Sequence, residues 1–77
     1  MKSKLQLLDE LIDDNRKEEV KIEFQLDFYQ RELRNPAAMG KPEAAEGMRV
    51  RTEYLKNLRR TISQYEEYRK REFPDSK

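Results

Sequence analysis

The sequence predicts an all-α fold: an antiparallel two-helix hairpin, coiled-coil-like, that dimerises into a four-helix bundle. Three observations predict it. Glu, Lys, Arg, Gln, Leu and Ala dominate a chain of 77 residues of which 43% are charged, the composition of long helices. The only strong breaker is N-P-A-A-M-G-K-P, residues 35 to 42. On both sides of it, apolar residues recur in steps of three and four, the spacing of packed helices.

The elements follow in order. Ser3 opens S-K-L-Q, a capping box in which Gln6 reaches back to free backbone donors. No proline interrupts the chain until Pro36, and Asn35 before it is pushed out of the helical region. Pro42 suits the first turn of a second helix, where Glu43 and Glu46 meet the positive end of the dipole. Pro74 ends that helix. The expected organisation is a single helical-hairpin domain over 1–77, with helix 4–34, turn 35–41, helix 42–72 and tail 73–77.

The seam of the first helix runs Leu5, Leu8, Ile12, Asn15, Glu19, Ile22, Leu26, Tyr29 and Leu33. That of the second runs Met48, Arg51, Leu55, Leu58, Ile62, Tyr65, Arg69 and Glu72. A short connection makes such helices antiparallel neighbours. Of two registers one turn apart, the one placing Tyr29 beside Met48 and Ile12 beside Tyr65 leaves the tighter turn. Asn15 is read as a seam amide that fixes register, and Glu19 and Arg51 as snorkelling or pairing with neighbours such as Arg59 and Asp27.

V-K-I-E-F-Q-L-D-F-Y, residues 20 to 29, alternates as a strand would. Helical geometry explains it better. At about 100° per residue, Ile22, Leu26 and Tyr29 fall on the seam, while Val20, Phe24 and Phe28 form a stripe nearly opposite. A lone hairpin leaves that stripe in water, as monomeric soluble proteins seldom do. Helix two carries a matching band, Val50, Tyr54, Thr61 and Tyr68, and tyrosine is enriched at binding hot spots. The predicted protein-interface residues are therefore Val20, Phe24, Phe28, Tyr54 and Tyr68. The expected partner is a second copy, another protein, or both.

Catalysis fails on inventory. With no histidine and no cysteine, the chain lacks the neutral-pH proton shuttle and the thiol nucleophile, and no disulfide can form. No phosphate loop or calcium-loop spacing occurs, and Asp9, Asp13 and Asp14 read as a solvated acidic face. No catalytic residue, metal or cofactor is expected. No apolar run reaches the roughly 20 residues that span a bilayer, so a cytoplasmic protein without membrane contact is expected.

One charged feature competes. M-R-V-R-T-E-Y-L-K-N-L-R-R, residues 48 to 60, carries five basic residues against one acid. Arg49, Lys56, Arg59 and Arg60 on it form a strip that nucleic-acid phosphates or an acidic protein surface would suit. The net charge of only +1 argues against nucleic acid, since acids of helix one screen the strip. The leading expectation is a non-enzymatic protein–protein interaction module: a small regulator, adaptor or inhibitor of a larger protein, phage-encoded ones included. The alternatives are a nucleic-acid-associated regulator using the 49–60 strip, or a structural helical element of a larger assembly.

Overall fold

A computed structural model describes residues 1–37 and 41–75. Two helices, α1 (Lys4–Arg34) and α2 (Lys41–Glu72), pack against each other. Among the described residues there is no strand. Residues 38–40 of the expected turn and residues 76–77 of the tail lie outside the described part.

The ends of α1 are held by local chemistry. Ser3 Oγ accepts from the Gln6 amide at 3.1 Å, and the Ser3 amide donates to Gln6 Oε1 at 2.8 Å, the reciprocal capping box. At the other end Arg31 and Arg34 meet the negative end of the dipole. Asn35 leaves the helix with φ −79° and ψ 113°, as a residue before proline must. Its Oδ1 accepts from the Ala37 amide at 3.1 Å, starting the chain's reversal.

The core is thin. Ile22 of α1 packs with Leu55, Leu58 and Ile62 of α2, and Leu26 closes over them. Leu8 and Ala44 are buried nearer the two ends. Burial of Ile22 with exposure of Phe24 establishes that residues 20 to 29 are helix with two interleaved stripes. The register is the one that sets Tyr29 near Met48. Tyr29 lies against Gly47 and under Arg51, Glu19 meets Arg59 and Asp9 meets Arg69.

Several seam details differ from expectation. Asn15 is only partly buried, so its amide is not enclosed in the core. Arg51 does not pair with Asp27, which instead bonds Arg31 one turn along at 3.0 Å. Arg51 Nε donates to Gln25 Oε1 at 2.9 Å, and its guanidinium carbon stands 5.0 Å from the Tyr29 ring centroid. A planar cation thereby covers an aromatic face while its fork finds an oxygen across the seam.

Candidate protein-interaction face

The hairpin has two long edges where the seam meets water, and they differ in chemistry. One edge is laced by ion pairs between the helices. Arg59 donates to Glu19 at 3.0 Å and to Glu23 at 2.7 Å. Arg69 donates to Asp9 at 2.6 Å, and Arg16 meets Glu66 at 2.8 Å. Hydrogen bonds donated to Glu19 and then Glu23 hold the Arg59 guanidinium above its ordinary pKa, and the bond donated to Asp9 does the same for Arg69. Asp9, Glu19 and Glu23 lie on one side of α1, because steps of three, four and seven return to the same helical face.

The other edge is open, apolar near the chain ends and mixed in character farther along. Near the chain ends, Leu7 and Leu11 of α1 face Tyr65 and Tyr68 of α2 across a groove of about 440 Å³. Lys4 and Arg71 flank it, with charged groups 5.6 and 5.8 Å from the Tyr68 ring centroid. Tyr68 also raises the pKa of the Lys4 ammonium. Farther along the same edge, Val50 and Tyr54 line a second depression with Lys21 and Gln25.

The five predicted interface residues separate on this frame. Tyr54 and Tyr68 lie on the open edge, Tyr54 half-exposed and Tyr68 partly covered by its two cations. Phe28 comes near that edge, one turn beyond Gln25 and two beyond Lys21, with its ring edge-on to Tyr29 at 6.3 Å. Val20 and Phe24 lie on the back of α1, away from α2. Phe24 is 73% exposed and Phe28 67%. The hairpin covers neither ring.

Leu7 and Leu11 belong to the same surface, at 53% and 42% exposure, and the seam count passes over them. The sequence does carry a signal. They are spaced i, i+4, off the seam defined by Leu5, Leu8 and Ile12, the same signature that marks Phe24 and Phe28.

The basic strip is partly spent within the chain. Arg59 is engaged by α1, and Arg49 is bound in its own helix by Glu46, with contacts of 2.6 and 3.1 Å. Lys56 and Arg60 are exposed and form no ion pair among the described residues. Among the described residues, no group of three or more acidic, His or Cys side chains could hold a metal ion, and no helix is long and apolar enough to cross a membrane. No family model, curated protein or solved structure matches this chain.

Proposed function

We propose that this chain is a non-enzymatic protein-binding hairpin, a small regulator, adaptor or inhibitor that acts by covering part of another protein surface. One observation carries the reading: large apolar side chains stay in water after the hairpin has formed, with Phe24 and Phe28 the most exposed aromatic rings. Aromatic groups held on a helix are rigid anchors that lose little conformational freedom on binding. A helix pair that presents them as a stripe fits the groove-and-ridge manner in which helices recognise one another. The inventory of side chains supports the same conclusion, since histidine and cysteine are absent.

The nucleic-acid reading is weaker on this geometry. Two of its four cations, Arg49 and Arg59, already have carboxylate partners, and phosphate would have to compete for them. Affinity purification from source cells with the wild-type chain and with Phe24→Asp tests the proposal. A protein recovered by the first and lost with the second, at equal helicity, is the expected result. Recovery of nucleic acid alone, lost at moderate salt, would move the function to the 49–60 strip.

A further inference from the structure

We infer that the open edge is built for a second copy of this chain, related by a two-fold axis perpendicular to the helices, with α1 antiparallel to α1 and α2 antiparallel to α2. The inference rests on the protein-binding reading above and names its partner. It begins with charge. Along the open edge of α2, steps of three and four from Gly47 pass Val50, Tyr54, Asn57, Thr61 and Gln64 to Tyr68 without meeting a charged residue. Nearly half of the chain is charged, so six turns of neutral edge mark a surface that is not designed to stay solvated.

That neutral strip matches itself when reversed. A second α2 laid antiparallel on it sets Val50 against Tyr68, Tyr54 against Gln64, and Asn57 against Thr61, and each pair occurs twice. Aliphatic meets ring, phenol meets amide, and amide meets hydroxyl. The Thr61 hydroxyl spends its proton on the Asn57 carbonyl of its own helix at 3.1 Å. Its oxygen is therefore left to accept from the Asn57 amide of the second copy.

The edge of α1 is charged, and its central part too matches itself reversed. Lys21 falls on Glu18 of the second copy, Phe28 on Leu11, and Asp14 on Gln25. Both helices require the same rotation. Within one hairpin Arg69 meets Asp9 and Arg59 meets Glu19, which puts Asn57 level with Lys21 and Thr61 near the level of Glu18. The rotation that sets Lys21 on Glu18 is thus the one that sets Asn57 on Thr61. A two-fold axis parallel to the helices would instead lay α1 on α2, stranding Asp14, Glu18 and Lys21 against neutral side chains.

The same arrangement covers the Leu11 and Tyr68 part of the groove near the chain ends. Phe28 of the second copy arrives on Leu11 just where its Val50 arrives on Tyr68, once at each end of the dimer. A face 55 Å long and 20 Å wide offers more than the roughly 800 Å² per partner that a standard interface buries.

Sedimentation equilibrium on the full chain tests this through a charge swap. The wild type self-associates at micromolar concentration. Glu18→Lys and Lys21→Glu each set like charges together at two places and weaken the homodimer by about tenfold or more at low salt. Mixing the two variants restores association as a heterodimer, because position 18 of each variant then faces an opposite charge at position 21 of the other. This rescue also shows that both variants fold. A wild type that stays monomeric, or a dimer indifferent to the swap, overturns the inference. If the monomer still captures another protein through Phe28, tested with Phe28→Asp, the inference fails while the protein-binding reading stands. If Phe28→Asp changes no association at all, both fall.

Discussion

Tyr29 lays the polar end of its ring on the backbone of Gly47, so closely that a methyl group there would stand 3.0 Å from Cζ and 3.2 Å from the phenol oxygen. Glycine inside a helix costs about 0.5–1 kcal/mol relative to alanine. Its presence in the second turn of α2 is explained by this close approach, which lets α1 and α2 meet just inside the turn.

The first prediction follows. Gly47→Ala gains helix propensity but displaces the ring, whereas in a Tyr29→Leu background only the gain remains. A double-mutant cycle by urea denaturation is expected to give a coupling beyond the ~0.3–0.5 kcal/mol scatter of independent sites. Gly47→Leu is expected to destabilise by about 1–3 kcal/mol through overpacking. Additive behaviour of the two substitutions would remove Tyr29 as the reason for the glycine.

How much of this was legible in the sequence depends on whether a feature belongs to one helix or to two. Ser3 with Gln6, the arginines at the end of α1, and the seam through Ile22, Leu55, Leu58 and Ile62 are properties of single helices, and their periodicity is readable directly. The exposure of Phe24 and Phe28 is also readable, because their stripe stands nearly opposite the seam. The difference between the edges is not. Whether Leu7 and Leu11 face Tyr68 or open water depends on how α2 is rotated against α1, which neither helix specifies alone. Arg51 illustrates the same limit: a long guanidinium side chain reaches several acceptors, and only the packed pair selects Gln25 with the Tyr29 face over Asp27.

The ionic edge makes a prediction about salt. Arg59, bonded to Glu19 and Glu23, and Arg69, bonded to Asp9, are exposed enough for counterions to screen them. Stability at neutral pH is expected to fall modestly as sodium chloride is raised through the range where the Debye length shrinks from about 10 Å toward 3 Å. Arg59→Gln is expected to lower the starting stability and flatten that dependence, read as the urea midpoint at each salt concentration. An unchanged slope would show that these pairs contribute nothing to holding the helices together.

A pH dependence follows from Glu46. The Arg49 hydrogen bond, aided by its charge, holds the Glu46 carboxyl below its ordinary pKa. A carboxyl depressed in the folded state contributes stability above its unfolded value, and that contribution is lost as pH falls through the folded value. Acidification through the carboxylate range is therefore expected to loosen the start of α2, seen as faster amide exchange near Glu46. Glu46→Gln is expected to remove this component. A pair this exposed gives a small effect, so residue-level exchange is the suitable readout.

Leu8 and Leu11 separate folding from binding within one turn of α1. Leu8 is buried in the hairpin, whereas Leu11 stands on the open edge with Leu7. Leu8→Ala removes core packing and is expected to cost about 2–5 kcal/mol, a large share of what so thin a core supplies, with helicity by circular dichroism falling accordingly. Leu11→Glu leaves that core untouched and places a charge where Leu7, Tyr65 and Tyr68 line the groove. Below the concentration of association, Leu11→Glu is expected to keep the helicity of the wild-type monomer, and at higher concentration to lose its binding. The contrast matters because either change alone could reduce association, one by unfolding the chain and the other by spoiling its face. Loss of helicity in both variants would mean that the open edge is part of the core after all, and that the leucines there serve the hairpin rather than a partner.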